Sequence, residues 1–130
     1  MLNDLKDKVV LITGSSTGIG AAAAVAFGNL GARVAVHYNS SQDAADEVFQ
    51  AVKATGAQAV LLQGDVVDSI QCKKLVAEAV KAFGRIDILI NNAGALVQRV
   101  PIEDITDELF DKVVYLNVRS AMMCTSAAVA

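Results

Sequence analysis

Residues 9–20, VVLITGSSTGIG, decide the fold, because a short β-branched run leads directly into three glycines spaced G-x-x-x-G-x-G. The run predicts a buried strand, and the glycines predict a tight loop that opens a helix. Gly14 permits a sharp turn off the strand, Gly18 lets an anion approach the backbone, and Gly20 lets the helix pack closely. The free amides of that helix would then face the anion. The stretch therefore predicts a pyrophosphate-binding loop, and an ordinary glycine turn is the alternative when it is taken alone.

Strand and helix patterns alternate along the rest of the chain. Short apolar runs predict four buried strands, at residues 9–12, 34–36, 59–62 and 86–90. Helical patterns run from Gly18 to about Leu30, from Ser40 or Ser41 to Gly56, from Asp68 to Gly84, and from Thr106 onward. This alternation predicts an α/β fold of Rossmann type, with a parallel sheet in the order 3-2-1-4 and flanking helices.

Capping residues support the starts of the last two helices. Asp68 is followed three residues later by Gln71, which is the spacing of a capping box. Thr106 precedes an acidic first turn, and Ile105 is placed to pack against Phe110 across that cap. Both helices are therefore expected to begin at these residues.

The last helical pattern continues through Met122, Met123 and Val129 to Ala130 without a glycine, a proline or a cap. A sheet that ended at the fourth strand would also leave an apolar edge unpaired. We therefore expect residues 1–130 to be the N-terminal part of a single longer domain, with later strands still to come.

Composition and charge exclude several classes of protein. The 130 residues include 11 basic and 14 acidic side chains and no basic run, which argues against a nucleic-acid partner. The N-terminus lacks a signal-peptide pattern and no apolar run approaches the roughly 20 residues of a membrane helix, so we expect a cytoplasmic protein with no membrane partner. Cys72 and Cys124 match neither a metal-ligand spacing nor a disulfide framework, so they are expected to be small buried residues and no metal is predicted.

Four motifs, in order along the chain, resemble those of the short-chain dehydrogenase/reductase family. Residues 13–20, TGSSTGIG, resemble its TGxxxGxG cofactor loop, and residues 91–94 resemble its NNAG motif. Asp65 stands where the family has a carboxylate that contacts adenine, and Asn117 where it has an Asn whose backbone carbonyl helps to hold a water of the proton relay. The resemblance implies that residues 1–130 form an NAD(P)-binding Rossmann domain. It also implies an oxidoreductase that transfers a hydride between a nicotinamide cofactor and a small-molecule carbonyl or alcohol substrate.

The resemblance further implies which residues bind the cofactor. The pyrophosphate and nicotinamide end would be held by Gly14, Ser16, Gly18, Ile19 and Gly20, the 2′ region by Asn39 and Ser40, the adenine by Asp65 and Val66, and the adjoining ribose by Asn91, Ala93 and Gly94. Asn117 would be the catalytic residue within this stretch. From the residues alone, amides at Asn91 and Asn92 can pin neighbouring strand ends, but a plain turn there, a strand-end carboxylate at Asp65 and a solvent-facing Asn117 are also open.

The end of the second strand bears on the choice of cofactor. Tyr38 occupies the place where NAD-using relatives tend to carry Asp, so NADP(H) is favoured over NAD(H). Asn39, Ser40 and Ser41 could donate hydrogen bonds to a 2′-phosphate, although Thr17 stands where an Arg or Lys often occurs. His37 is interpreted as a strand-end residue and not as a catalyst. Residues 36–41, VHYNSS, are similar to stretches in 3-oxoacyl-carrier-protein reductases and glucose dehydrogenases of the family.

The proton-transfer residues of the family are not found in this stretch. The family uses a Ser and a Tyr-x-x-x-Lys, which we expect further along the chain, so the 130 residues alone should be inactive. Tyr115 and Arg119 have the same spacing, but Arg cannot lend a proton at neutral pH. A packing Tyr and a solvated Arg are expected instead, and Ser120 and Ser126 are expected to be structural.

Two other functions are compatible with the same pattern. One is a non-catalytic dinucleotide-binding module, and the other is a self-association fragment that uses the apolar last helix. The family resemblance also implies a homo-oligomer, a dimer or tetramer, while the substrate itself is not identified by these residues.

Overall fold

A four-stranded parallel sheet lies at the centre of the computed structural model, which describes residues 3–130. Its elements, in chain order, are β1 Val9–Ile12, α1 Gly18–Asn29, β2 Arg33–Tyr38, α2 Gln42–Ala54, β3 Ala59–Gln63, α3 Ser69–Phe83, β4 Ile88–Ile90, α4 Asp107–Val114, a π-helical turn Tyr115–Arg119 and α5 Ser120–Val129. The strands are ordered β3-β2-β1-β4 and all pair in parallel. The predicted Rossmann-type α/β fold and its strand order are confirmed.

Strand β1 is completely buried because helices cover both faces of the sheet. Its four residues are all apolar and all 0% exposed. Successive side chains of a strand point to opposite faces. Leu11 accordingly packs in a cluster with residues of α3 and α5, whereas Val10 and Ile12 pack with residues of α1 and α2. One strand thus supplies both layers of the core.

The position of β1 between β2 and β4 determines where a ligand can bind. Leu11 is in register with Ala35 of β2 on one side and with Leu89 of β4 on the other. The chain leaves β1 toward α1 and the β2 side, and it returns to the opposite side only at β4. In open parallel sheets, the crevice beyond the carboxyl ends of the strands at such a reversal is the usual binding place.

The two predicted helix caps are present. Asp68 accepts a hydrogen bond from the amide of Ile70 at 2.9 Å, and the hydroxyl of Thr106 accepts one from the amide of Leu109 at 3.1 Å. Gln71, however, does not complete a capping box. Its side-chain oxygen instead accepts from the amide of Asp65 at 2.7 Å, while the amide of Asp68 donates to the carbonyl of Asp65 at 3.1 Å.

Several boundaries differ from the sequence prediction. Strand β2 is Arg33–Tyr38 and not 34–36, and β3 is Ala59–Gln63 and not 59–62. Strand β4 begins at Ile88 and not at residue 86. Just before it, Arg85 donates to the Asp87 carboxylate at 2.9 Å, and that carboxylate also accepts from the amide of Val9 at 2.8 Å. The last helix is not continuous, since the turn Tyr115–Arg119 is wider than an α-helical turn and the amide of Ser120 donates to the carbonyl of Tyr115. Within residues 3–130 no helix is both long enough and apolar enough to span a membrane.

Candidate functional site

A cavity of about 590 Å³ opens at the carboxyl edge of the sheet. Loops that follow all four strands line it, and Leu116 of the π-helical turn closes one side. Its size falls in the range of roughly 300–1,000 Å³ that is usual for small-molecule sites. The predicted cofactor-binding residues on its wall are Gly14, Ser16, Gly18, Ile19, Asn39, Ser40, Asp65, Val66, Ala93 and Gly94. Gly20 and Asn91 lie outside that wall.

The start of α1 presents unpaired backbone amides to this cavity. Thr17 precedes the helix in an extended conformation and its side chain makes no capping hydrogen bond. The first hydrogen bond of the helix runs from the amide of Ala21 to the carbonyl of Thr17, at 3.2 Å. The amides of the three residues in between, Gly18, Ile19 and Gly20, have no partner within the helix. They sit at the positive end of the helix dipole, which favours an anion.

The three glycines of the loop serve different purposes. Gly14 has φ +64°, and a Cβ there would lie 2.8 Å from the Cα of Ala93. A side chain is therefore excluded both by the backbone conformation and by a steric clash. Gly18 has φ +58° and no neighbour within 4 Å, so it leaves the approach to the amides open. Gly20 was predicted to let the helix approach the sheet. Its Cβ would instead meet Asn92 Nδ2 and the Gly14 carbonyl, each at 2.5 Å, so the close contact is with the loop.

Thr13 and Asn92 fasten the glycine loop to the end of β4. The Thr13 hydroxyl accepts hydrogen bonds from the amides of Asn92 and Ala93, at 3.1 and 3.0 Å. The side-chain amide of Asn92 donates to the Gly14 carbonyl at 2.9 Å. Asn92 therefore pins strand ends as its residue type suggested. The side chain of Asn91 points elsewhere and donates to the hydroxyl of Thr125 in α5, at 2.9 Å.

His37 lies at the end of β2 with its ring almost fully buried. Its Nδ1 accepts from the amide of Gly14 at 2.9 Å, and its Nε2 lies 2.7 Å from the carbonyl oxygen of Gly64. The backbone of His37 also bonds Ser15, whose hydroxyl accepts from the His37 amide at 2.8 Å. Burial lowers the pKa of His37, while the bond to Gly64 and the charge of Asp65 oppose that shift. His37 is thus a neutral structural group, as its interpretation as a strand-end residue implied.

The loop after β3 brings Asp65 and Val66 to the opposite wall of the cavity. One carboxylate oxygen of Asp65 accepts from the amide of Val67 at 3.1 Å, which forms a local turn. Val66 is buried, and its carbonyl accepts from the thiol of Cys72 at 3.2 Å. Among residues 3–130, Asp65 is the one charged residue on the cavity wall, so a phosphate here would have to be held by backbone amides and hydroxyl groups.

Asn117 stands in the π-helical turn and is tied to the loop after β4. Its side chain donates to the carbonyl of Ala95 at 2.8 Å and accepts from the Ala95 amide at 3.0 Å. A Cβ at Gly94 would collide with the Asn117 side-chain oxygen. A π-helical turn is rare and often occurs at functional sites. The open alternative, an Asn that only faces solvent, does not describe this side chain.

Arg119 was expected to be solvated, and that expectation was wrong. Its guanidinium carbon lies 3.8 Å from the centroid of the Tyr115 ring, and one terminal nitrogen donates to the carbonyl of Val67. Its Nε is buried without a hydrogen-bond partner among the residues that the structure describes. The wide turn directs Arg119 onto the loop after β3, and the sequence carries no local signal for that contact. Tyr115 packs against this arginine.

The remaining reactive groups are shielded. Cys72 and Cys124 are 0% exposed and lie together between α3 and α5, so both are small buried residues as predicted. Burial raises the pKa of Cys72 and raises that of Cys124 to about 12. Ser120 is buried and donates to the carbonyl of Leu116, whereas Ser126 is exposed. Across residues 3–130 no group of three or more His, Cys, Asp or Glu side chains is arranged to hold a metal ion.

Comparison with known proteins identifies relatives over nearly the whole chain. A family described as short chain dehydrogenase matches residues 8–130. An uncharacterized oxidoreductase of Methylorubrum extorquens is 41% identical over 127 residues, which are 98% of this chain and 51% of the relative. Versicolorin reductase 1 of Aspergillus parasiticus is 46% identical over 115 residues, 88% of this chain and 44% of the relative. The chain therefore spans about half the length of the curated relatives it matches.

Solved structures agree with the fold. The NADH-dependent reductase A1-R' complexed with NAD superimposes with a TM-score of 0.93 at 37% identity, over 98% of this chain and 53% of that one. A putative dehydrogenase from Burkholderia cenocepacia with bound NADP gives a TM-score of 0.90 at 38% identity, over 95% of this chain and 48% of that one. Similar chains thus include one that binds NAD and one that binds NADP.

Proposed function

The chain belongs to the short chain dehydrogenase family, and from that membership we propose that the intact protein is an NAD(P)(H)-dependent oxidoreductase. The single observation that carries the proposal is the uncapped start of α1. It presents unpaired backbone amides to a cavity that is lined by the loops after all four strands. In this proposal residues 1–130 are the N-terminal, cofactor-binding part of one longer domain. A cofactor of this class, when bound, gives or accepts a hydride at its nicotinamide ring.

The residues present fit a dinucleotide. Gly18 leaves open space where a side chain would block the helix start, and that space is what a diphosphate needs in order to reach the amides. We assign the parts of the cofactor as the family resemblance implies. Gly14, Ser16, Gly18, Ile19 and Gly20 would hold the pyrophosphate and nicotinamide end, Asn39 and Ser40 the 2′ region, Asp65 and Val66 the adenine, and Asn91, Ala93 and Gly94 the adjoining ribose. Because the Asn91 side chain donates to Thr125, Asn91 would contact the ribose through its backbone.

NADP(H) is the proposed cofactor in preference to NAD(H). Tyr38, Asn39, Ser40 and Ser41 line the cavity at the end of β2, and none of them is a carboxylate that would repel a 2′-phosphate. Hydroxyl and amide donors in that group could bind the phosphate instead. The preference is expected to be modest, because no Lys or Arg lines the described cavity.

Within this stretch Asn117 is the proposed catalytic residue, and it would anchor the proton relay through its backbone carbonyl. Its side-chain bonds to Ala95 support the role, because they hold the π-helical turn against the loop after β4. The Ser and the Tyr-x-x-x-Lys would come from later parts of the intact protein. Tyr115 and Arg119 cannot substitute, since Arg119 is committed to the Tyr115 ring and to Val67.

The remaining parts of the proposal concern the whole protein. A small-molecule carbonyl or alcohol as substrate and a homo-oligomeric assembly follow from the family resemblance, and we propose a cytoplasmic location for the protein. Large apolar side chains exposed on the last two helices, among them Phe110, Val118 and Met122, support a self-association surface. Self-association by itself would give the free amides of α1 no ligand.

A titration and an activity assay test the proposal together. The full-length protein is titrated calorimetrically with NADP⁺ and NAD⁺, and reduction of a panel of aldehydes and ketones is followed by loss of NADPH absorbance. We expect binding of both cofactors, tighter binding of NADP⁺, and turnover of at least one carbonyl class. Binding without turnover, together with a full-length chain that lacks a downstream Ser and Tyr-x-x-x-Lys, would favour a dinucleotide-binding module. No binding of either cofactor would refute the proposal.

A further inference from the structure

The imidazole of His37 joins the backbones of two cavity loops, the glycine loop after β1 and the loop after β3. Its Nε2 lies 2.7 Å from the Gly64 carbonyl oxygen, which can only accept, so Nε2 carries the proton. Its Nδ1 is therefore free to accept from the Gly14 amide, at 2.9 Å. The residue is 2% exposed, so water has little access to either bond. One ring thus spans from the pyrophosphate side of the site to the adenine side.

Both loops depend on backbone contacts at the residues that His37 touches. Gly14 and Gly64 have no side chains of their own. Apart from the ring, Gly64 is held by its amide, which donates to the Tyr38 carbonyl at 3.0 Å, and Gly14 by its carbonyl, which accepts from Asn92. The amide of Gly14 and the carbonyl of Gly64 are satisfied by the ring itself. Removing the ring would leave the partly buried amide of Gly14 and the buried carbonyl of Gly64 unpaired.

The charge state of the ring decides whether the bridge can form. A protonated ring would direct an N–H at the N–H of Gly14, which replaces an attraction with a repulsion. Burial lowers the pKa of His37, and the Gly64 bond and the carboxylate of Asp65 oppose the shift. Asp65, from the loop after β3, is the charged group that acts on the ring from a neighbouring element. The net lowering keeps the ring neutral, and the bridge intact, at neutral pH.

We propose that His37 is a positioning residue, which fixes the glycine loop relative to the loop after β3 and thereby determines how tightly the dinucleotide is held. The inference rests on the proposed function, because the two loops matter as a pair only if one ligand contacts both. His37 touches no reacting atom in this account. It acts through the backbone of Gly14 and of Gly64.

Two substitutions and one control separate this role from simple packing. His37→Phe keeps a ring of similar size but makes neither hydrogen bond. His37→Asn keeps an acceptor near the Gly14 amide and cannot be protonated in the working pH range. Val34→Ala is the control, because Val34 is buried in the same strand and touches neither loop through its side chain. All are made in the full-length protein, and NAD⁺ and NADP⁺ binding is measured by calorimetry alongside denaturant unfolding.

The expected results differ between the variants. At pH 8, His37→Phe should weaken binding of both cofactors by about tenfold or more, because the partly buried amide of Gly14 and the buried carbonyl of Gly64 lose their partner. His37→Asn should weaken it by about threefold or less, and Val34→Ala should leave it unchanged while lowering stability. As the pH falls from 7 to 4.5, wild-type affinity for NAD⁺ should fall relative to that of His37→Asn, with the loss beginning below the ordinary histidine pKa because the pKa of His37 is lowered. NAD⁺ is the better probe for this comparison, since it lacks the 2′-phosphate that itself titrates.

Three outcomes would overturn the inference. The first is wild-type affinity in His37→Phe, and the second is an equal loss in Val34→Ala. The third outcome is a pair of parallel affinity-against-pH curves for the wild type and His37→Asn. This pH series also decides the test if His37→Phe does not fold. Failure of the wild type to bind either cofactor at pH 8 would refute the proposed function and this inference with it, whereas intact binding with any of the three outcomes refutes the inference alone.

Discussion

Replacing Gly18 by alanine tests the proposed phosphate site with little effect on the rest of the fold. Gly18 adopts φ +58°, and a Cβ added there would meet no protein atom within 4 Å apart from its chain neighbours and the backbone of its own helix. The new methyl group therefore meets only whatever ligand approaches the start of α1. Gly84 offers a matched control, because it also has a positive φ, +86°, and open space around its Cβ position. It ends α3, which places it away from the residues that line the cavity.

The two substitutions should cost similar stability but different affinity. Placing alanine in the left-handed region costs about 1–2 kcal/mol, and the stiffer unfolded chain returns about 0.4–1 kcal/mol, so each variant should lose roughly 1 kcal/mol. At Gly18 the methyl group would also push a phosphate away from the amides. Loss of one or two charge-assisted hydrogen bonds, each about 1.5–3 kcal/mol, would weaken cofactor binding by about 100-fold. Gly84→Ala should change cofactor affinity by less than about twofold.

Calorimetric titration of the full-length variants with NADP⁺, paired with denaturant unfolding, provides the measurement. We expect parallel losses of stability in the two variants and a loss of affinity confined to Gly18→Ala. Wild-type affinity in Gly18→Ala would show that no diphosphate lies against this backbone. An equal loss of affinity in both variants would show that the effect comes from stability and not from the site.

Three further predictions follow from contacts outside the phosphate loop. The amide of Val9 and the guanidinium of Arg85 hold the pKa of Asp87 below its usual value. The folded state therefore gains stability above the ordinary Asp pKa and loses it as the pH falls through the lowered value. Asp87→Asn should reduce this loss of stability in acid, measured by urea unfolding from pH 6 to pH 2. Arg119→Lys should cost about 1–2 kcal/mol in the same assay, because lysine cannot both stack on the Tyr115 ring and reach Val67, and stability equal to the wild type would refute this reading of the contact. The buried thiol of Cys124, whose pKa is raised to about 12, should resist iodoacetamide at pH 8 until the protein is unfolded, and rapid alkylation of the native protein, detected by mass spectrometry, would contradict its burial.

The fold could be predicted from sequence because its main determinants are local. The run 9–12 contains only apolar residues, which indicates a strand buried on both faces, and Gly14 and Gly18 both adopt the positive φ that the loop requires. Asp68 and Thr106 cap their helices through amides two or three residues away. Each of these features depends on neighbours within one turn of chain, so a linear pattern is enough to identify it.

The contacts that shape the site depend on residues far apart in sequence, and a linear pattern does not specify them. Arg119 binds the carbonyl of Val67, so the expectation of a solvated arginine failed. Asn91 turns to Thr125, 34 positions away, and not toward the cavity. The ring of His37 was identified as a strand-end group, but its two backbone partners come from other strand ends and gave no signal in the sequence. Such contacts become visible only when the sheet order brings the strand ends together.

The π-helical turn at Tyr115–Arg119 rotates α5 about the helix axis relative to α4. Each α-helical residue advances the chain by about 100°, and a π-helical turn accommodates one residue more than an α-helical turn does. Deleting a single residue from this turn would allow a continuous α-helix from α4 to α5. It would nevertheless rotate α5 by about 100°, carry Cys124 out of its contact with α3, and present a different side of the helix to the core. The surplus residue therefore specifies which side of α5 is the inside.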